Sequence, residues 1–363
     1  MFMFRSKRNI LSKRLVEAHR RRAQQLGSDE CVEVGPLLKR LQENQLQMLL
    51  SAVTSRGQGA SNCVLLPRDN QPHVLCCQAW RWPDLRLASE LRRLPVCRSA
   101  ADPVYICCNP YHWSRICQPD YPPPPYSVCA MDTLKPEDYE NAKWYKRLLG
   151  RKYKKFEDFS TSDRAPSEAP LVCRNSTPGS LTTSGEGSLT NTLSWCKLAY
   201  WEMGQRVGPL YPVEQPAVNV FGQVPYGDGL SLETLARHSF SPPDSVTRTR
   251  DKIGLGVTIS HEGDSVWVYN RSDSPIFVNS LSLDDFDSAS PTRVPADYCL
   301  CIFDPIRVSR NNNDWNFKRT QHFGPIDKNS IRLSFVKGWG PRYSRQEITS
   351  CPCWLEILLS PCR

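Results

Sequence analysis

Residues 331–359 read IRLSFVKGWGPRYSRQEITSCPCWLEILL, and the fold of the second half of the chain turns on how this stretch is parsed. It begins and ends as a strand. Ile331, Leu333 and Phe335 alternate with polar partners, and Trp354–Leu359 is an apolar run, so each end predicts a strand facing a core. Between them lies a loop that no simple hairpin needs, where Lys337, Arg342 and Arg345 alternate with Trp339 and Tyr343. Gly338 and Gly340 permit positive φ and a close approach to a partner. A cationic loop carried on two buried strands suits the binding of phosphate or carboxylate groups.

The β reading extends upstream from that stretch. WCKLAYW (195–201), VNVF (218–221), IGLGVTIS (253–260), SVWVYN (265–270), PIFV (275–278) and CLCIF (299–303) are short strands. Gly, Pro, Asn or Asp separate them, and LSLETLARHS (230–239) is the one clear helix. Many short strands with little helix predict a β-sandwich with loops and helices at its ends. Residues 118–192 change character: Pro, Ser, Thr and Gly dominate, nothing there would build a core, and a disordered linker follows. Before it, Pro36 opens a helix whose stripe is Leu38, Leu41, Leu46, Leu49, Leu50 and Val53, ending near Arg56–Gly57. Residues 62–66 and 74–77 read as short strands. A further helix opens at Pro83–Asp84, with Leu85, Leu87, Leu91 and Leu94 as its apolar contacts. The division is a basic segment 1–30, an α+β domain 31–118, the linker 119–192 and a β-sandwich domain 193–363.

At 363 residues the chain accommodates two domains and a linker. Its net charge of +9 is concentrated in two places: residues 1–26 and residues 143–155 each carry +7, so the remainder sums to −5. Local address signals or docking patches follow, rather than a broad surface that wraps nucleic acid. Residues 4–26 read as an exposed basic helix usable for nuclear import or an anionic surface. Segment 143–155 suits import, or binding to anionic membrane. MFMFRSKRNILSKRL has no apolar core after its charges, and no run approaches the roughly 18 residues of a membrane span. A reducing cytosolic or nuclear setting is therefore expected. The sixteen cysteines would be free, buried or metal-bound, and the sequons at Asn175 and Asn270 unused.

Three constellations bear chemistry. Cys63, Cys97, Cys107 and His112 offer three thiolates and an imidazole, a closed tetrahedral set for structural zinc, although spacing alone leaves Cys76, Cys77 and Cys108 as alternatives. Pro123, Pro124, Pro125 and Tyr126 form a PPxY element whose polyproline II conformation suits a WW-type aromatic groove. Arg248, Arg250 and Lys252 precede a strand and would join Lys337, Arg342 and Arg345 if those strands pack together. No phosphate-cradling glycine loop, Ser/His/Asp triad or pair of catalytic carboxylates is present, and six scattered histidines share no spacing, so the chain is not read as an enzyme.

Longer motifs carry a resemblance. SWCKLAYWEMGQRVGPLY (194–211), DKIGLGVTI (251–259), VWVYNRSDSPIFVNS (266–280) and SFVKGWGPRYSRQEITSCPCWLEI (334–357) resemble the C-terminal Mad-homology domain of the Smad family. CVLLPR (63–68), PHVLCCQAWRWPDLR (72–86) and CCNPYHWSR (107–115) resemble its N-terminal Mad-homology domain, and PPPPYS (122–127) resembles the inhibitory branch. The resemblance implies one structural zinc ion on Cys63, Cys97, Cys107 and His112. It implies a β-sandwich of the forkhead-associated type with a helical bundle at one end. A docking surface of Arg248, Lys252, Lys337, Arg342, Tyr343 and Arg345 would face a phosphorylated type I receptor kinase of the TGF-β/BMP class, or other phosphorylated Smads. Pro123–Tyr126 would recruit a WW-domain (Smurf-type) E3 ubiquitin ligase.

Two departures bear on the branch. DNA-binding Smads carry a long β-hairpin between the LPR-like and PHV-like motifs, whereas here only Asp69, Asn70 and Gln71 separate Arg68 from Pro72. Receptor-activated Smads end in a Ser-x-Ser phosphoacceptor, and Ser360–Arg363 contains none. The expectation is an inhibitory Smad of cytoplasm and nucleus with little or no sequence-specific DNA binding. The alternatives are a zinc-containing DNA-binding Smad and a common-partner Smad.

Overall fold

The computed structural model describes residues 7–26, 32–58, 61–117, 194–223, 227–237, 242–283, 290–309 and 329–360. The PPxY element, the basic segment 143–155 and Asn175 lie outside the described residues.

The N-terminal half is built on helices α1 (Lys7–Leu26), α2 (Gly35–Arg40), α3 (Glu43–Ser55) and α4 (Pro72–Trp80). The apolar stripe of α2 and α3 is core: Leu38, Leu41, Leu46, Leu49 and Leu50 are buried. A capping box starts α3, with Gln42 N–H donating to Gln45 Oε1 at 2.9 Å. Arg56 ends it in the left-handed region, and Gly57 follows at φ 69°. A Cβ at Gly57 would lie 2.8 Å from the Tyr111 side chain, so only glycine fits that crossing.

Three expectations need correcting here. The basic helix is not simply exposed. Leu11 and Leu15 of α1 are buried against α3 and α4, and buried His19 places Nδ1 2.8 Å from Ala79 O. Residues 74–77 are not a strand but the middle of α4. A short apolar run does not reveal its own period, and Pro72 at the first turn was the better signal. Residues 83–94 are not a helix. Glu90 accepts from the amides of Arg86 (3.1 Å) and Leu87 (2.9 Å), closing a 3-10 turn at Ala88–Glu90, and a strand follows. Leu87 is left 61% exposed.

The strands of this half are short: β1 (Leu65–Pro67), β2 (Leu91–Arg93), β3 (Tyr105–Cys107) and β4 (Trp113–Ile116). β1 pairs antiparallel with β3. Asn70 (φ 55°) and Gln71 (φ 48°) make a left-handed turn that carries β1 straight into α4. The segment between those motifs is thus a turn, with no hairpin in it.

The second half is the expected sandwich. Its strands are β5 (Cys196–Glu202), β6 (Gln205–Val213), β7 (Ala217–Phe221), β8 (Gly229–Ser231), β9 (Val257–Glu262), β10 (Ser265–Asn270), β11 (Ile276–Asn279), β12 (Thr292–Val294), β13 (Tyr298–Phe303), β14 (Ser330–Phe335) and β15 (Trp354–Leu359). One sheet runs β12-β11-β14-β15-β5-β6. The stretch that decides the fold is its centre: β14 and β15 pair antiparallel, Ile331 opposite Ile357 and Leu333 opposite Leu355. These four, with Leu198, Tyr200, Ile259 and Val268, fill the core between the sheets, each worth roughly 1.5–3 kcal/mol relative to exposure for the aliphatic members.

The other sheet contains a surprise. Its order is β2-β4-β13-β10-β9-β7-β8, so two N-terminal strands extend a C-terminal sheet. β4 pairs parallel with β13, Arg115 beside Tyr298 and Ile116 beside Cys299. Ser114 Oγ donates to Asp297 O at 2.8 Å, and Arg92 pairs with Glu262 while its guanidinium sits 3.6 Å over the Trp267 ring. Strands of three or four residues carry no readable alternation, which hid this seam from sequence.

Two helices flank the sandwich, α5 (Leu232–Ala236) and α6 (Asp244–Ile253), with helical residues also at 305–309. DSVTRTRDKI in α6 is polar overall, and only Val246, Thr249 and Ile253 at helical spacing face inward. Asn270 is 2% exposed, and its Nδ2 donates to Ser274 O, Val294 O and Pro295 O at 2.8–3.1 Å. That amide is occupied within the fold.

Candidate functional site

The first constellation closes around a point. Cys63 precedes β1, Cys97 follows β2, Cys107 ends β3 and His112 ends a 3-10 turn at Pro110–His112. Asn109 builds that turn, its Oδ1 accepting from Tyr111 N–H at 3.0 Å and its Nδ2 donating to Ser61 Oγ at 2.9 Å. The four ligand atoms all lie within 4.8 Å of one another. His112 Nδ1 is 3.5 Å from both Cys63 Sγ and Cys107 Sγ, and Cys63 Sγ is 4.0 Å from Cys97 Sγ. A tetrahedron with Zn–S bonds of about 2.3 Å has edges of roughly 3.5–3.8 Å. The set therefore fits one structural zinc ion.

The surroundings favour the same use. His112 Nε2 lies 3.0 Å from Ser61 O, so its proton is placed there and Nδ1 turns its lone pair to the thiols. A hydrogen bond from Cys107, then those of His112 and Ser99, lower the Cys97 thiol to about 3 against the opposing effect of burial. The Cys107 hydrogen bond lowers Cys63 to about 6. Thiolates, the form that ligates metal, are thus favoured at two of the three sulfurs. The alternatives fall away on position. Cys76, Cys77 and Cys108 are fully buried in the apolar core, where burial pushes the Cys76 and Cys77 thiols up.

The cationic constellation is open. The loop between β14 and β15 leaves its strand through Val336 at φ 65°, a costly conformation for a β-branched residue. Four bonds hold it there. Lys337 N–H donates to Phe335 O (2.6 Å), Val336 N–H to Pro275 O (3.0 Å), and Ser334 Oγ to Lys337 O (2.7 Å), while Cys351 Sγ donates to Lys337 O at 3.7 Å. Beneath, Trp339, Ile348, Cys351 and Trp354 form a separate small core with Phe277. Tyr343 packs edge-on against Phe277 at 5.5 Å, and Trp354 stacks on Trp201 at 5.1 Å. A Cβ at Gly338 would lie 2.5 Å from the Tyr343 ring, so glycine admits the aromatic floor.

This geometry sorts the anticipated docking residues. Tyr343 and Trp339 are anchors, while Arg342 is exposed and Lys337 and Arg345 are half-exposed at the rim. Arg248 is exposed on α6, which reaches the same sheet end through Val246 O, 3.8 Å from Cys353 Sγ. Arg250 is engaged: buried Glu202 takes it in a bidentate pair, both bonds 2.6 Å. Lys252, also exposed, lines a groove shared with Arg21, Arg56 and Arg81 of the N-terminal half. The supports Glu202, Trp201, Phe277 and Ile348 escaped sequence reasoning, because they meet only through tertiary packing.

Comparison with known proteins identifies two domains. Residues 32–117 match the MH1 domain and residues 193–360 the MH2 domain. The chain is 41% identical to Mothers against decapentaplegic homolog 6 of Gallus gallus, over 89% of this chain and 73% of that protein. It belongs to the Smad family, in the inhibitory branch. Mothers against decapentaplegic homolog 7 of Homo sapiens is 37% identical over 89% of this chain and 76% of its own length. Dwarfin sma-3 of Caenorhabditis elegans is 28% identical over 80% and 72%. A solved interferon regulatory factor 9 domain covers 47% of this chain and 84% of its own, but at a TM-score of 0.32 and 16% identity it bears no weight. The cysteine–histidine set of this Smad lies in MH1, and its cationic loop in MH2. Smads mediate TGF-β/BMP-type signalling and transcription and are not enzymes. None of the described helices is long and apolar enough to cross a membrane.

Proposed function

We propose that this inhibitory Smad lowers TGF-β/BMP-type signalling by occupying the phosphorylated segment of an activated type I receptor kinase. Receptor-activated Smads are thereby kept from phosphorylation. The observation that carries the reading is the rim of Lys337, Arg342 and Arg345 over a rigid aromatic floor, with Arg248 on the neighbouring helix. Guanidinium groups held this way suit phosphate by bidentate hydrogen bonding, and the fixed loop limits the ordering entropy of capture. The PPxY element Pro123–Tyr126 then brings a WW-domain E3 ubiquitin ligase to the receptor. Structural zinc holds MH1 together, and the protein works in cytoplasm and nucleus, in contact with other Smads.

Pull-down of the phosphorylated receptor cytoplasmic domain tests this. Reversing charge at Lys337 and Arg345 together abolishes capture, while Tyr126→Ala spares capture and loses the ligase. Unchanged capture by the double reversal sinks the docking model. The rival, a DNA-binding Smad, is disfavoured by the left-handed turn at Asn70–Gln71, which occupies the place of the base-reading hairpin. Nanomolar, sequence-selective shifts of a GC-rich Smad element would restore it.

A further inference from the structure

A groove of about 770 Å³ opens where α1 and the ends of α3 and α4 meet the end of α6 and the turn after β10. Six cations line it: Arg21, Arg22, Arg56 and Arg81 from the N-terminal half, Lys252 and Arg271 from the C-terminal half. Three carboxylates, Asp251, Asp273 and Asp297, share the lining and leave a formal charge of +3. Three helix C-termini, those of α3, α4 and α6, add partial charges of roughly −0.5 each, which still leaves the balance positive.

The polar atoms at its wall are incompletely satisfied. Arg81 is only 6% exposed. Its Nη atoms reach Asp297 Oδ1 (2.5 Å), Pro110 O (2.9 Å) and Trp113 O, yet its buried Nε has no partner. Arg22 Nε is likewise buried without one. A buried donor left unsatisfied costs about 1–3 kcal/mol, more when charged. Both donors lie beneath the groove surface, so it is the positive balance of the lining, more than these two atoms, that calls for an anionic ligand.

We infer that the groove binds a small polyphosphorylated polyol of the inositol phosphate class, with cations of both halves on its phosphates. A ring bearing several phosphates presents acceptors in many directions, as six cations on two walls require. Such a ligand fixes the shared-sheet arrangement of the two halves, since it contacts α1 and α3 on one side and α6 on the other. The inference is independent of the receptor-docking model, which uses a different set of cations apart from Lys252.

Calorimetric titration of the full, zinc-loaded chain tests it, with myo-inositol hexakisphosphate in one arm and a short-chain phosphatidylinositol bisphosphate in the other. One-to-one binding is expected, weakened at least about tenfold by Arg56→Gln and by Lys252→Gln, each an exposed position. Lys197→Gln, exposed on β5 and outside the lining of the groove, leaves it unchanged. Binding of the hexakisphosphate alone identifies a soluble ligand, and comparable binding of the lipid identifies a headgroup. No binding in either arm overturns the inference, as does equal weakening by Lys197→Gln or none by the groove variants.

Discussion

The metal centre and the docking loop are both irregular segments held by side chains, yet they point opposite ways. Around Cys107 and His112 every donor turns inward to one point, and the backbone follows. In the loop the apolar groups Trp339, Tyr343 and Ile348 turn inward while the cations stay at the rim. The inward cluster can only be structural, because its donors are all used on one another or on one ion. If the loop docks a partner as proposed, it separates the tasks: one set of residues holds it and another set would meet the partner. Damage should therefore be inseparable from folding at the first site and separable at the second.

The largest effect tests the first half of that statement. A structural zinc ion contributes on the order of 10 kcal/mol of apparent binding free energy to the folded state at neutral pH. Cys107→Ser, or zinc withdrawal by a strong chelator, should unfold the N-terminal half, seen as lost helical circular dichroism and rapid proteolysis within residues 32–117. The fit of four ligands also predicts one zinc per chain by elemental analysis. Cys108→Ser, one residue away but outside the cluster, should keep full zinc occupancy. Equal zinc loss from both variants would show that the closed tetrahedron is misassigned.

Next in size is the floor of the loop. Trp339 is 6% exposed between Phe277 and Trp354, and Trp339→Ala should cost about 3–5 kcal/mol in chemical denaturation. Gly338→Ala probes the same floor from the other side, since the new methyl would overlap the Tyr343 ring. Its cost should be about 1–3 kcal/mol, with a shifted near-ultraviolet signal from the tyrosine. Either variant leaves zinc content untouched, because the two sites share no residue.

How much of this was legible beforehand follows from the range of each signal. The strands β14 and β15 announced themselves through alternation at Ile331, Leu333 and Phe335, a purely local pattern. The cysteine and histidine residue types pointed to zinc, but spacing could not separate Cys107 from Cys108. The fold does so by placing one sulfur in the cluster and the other in the apolar core. Helix α4 was missed because VLCC is apolar all round and buried on several sides, so no period shows. The seam between β4 and β13, the Glu202–Arg250 pair and the groove beside Arg81 were illegible for a stronger reason. Each joins residues from 48 to more than 180 positions apart with no local pattern to mark them.

His73 sets the two regions apart by pH. It is 6% exposed in α4, packed at a tilt against Trp113 at 4.8 Å, and burial followed by the nearby Arg93 and Arg68 charges lowers its pKa to about 4. The unfolded chain protonates it near 6.5, so between pH 6.5 and 4 unfolding takes up a proton and stability falls as pH falls. The full loss is on the order of 3 kcal/mol. His73→Leu should flatten that part of the stability–pH curve measured by urea titration. Protonation of the zinc ligands is common to both proteins and cancels in the difference. An unchanged slope would mean that His73 is already charged in the fold.

The smallest effect on stability carries the most about function. Arg342 is exposed and Arg345 half-exposed, and surface substitutions away from special contacts usually shift stability by no more than about 0.5 kcal/mol. Reversing the charge at Arg342 and Arg345 should therefore leave the urea midpoint and the zinc content as they were. It should still lower capture of a phosphorylated receptor fragment by at least about a hundredfold, if each cation makes a charge-assisted bond of about 1.5–3 kcal/mol to phosphate. Raising salt should weaken capture by the parent protein more steeply than by the variant, because fewer charges remain to be screened. Parallel loss of stability and capture would mean that these cations also hold the loop, and that the division between floor and rim is false. Capture lost at constant stability places recognition on the rim alone, as the aromatic anchoring beneath it implies.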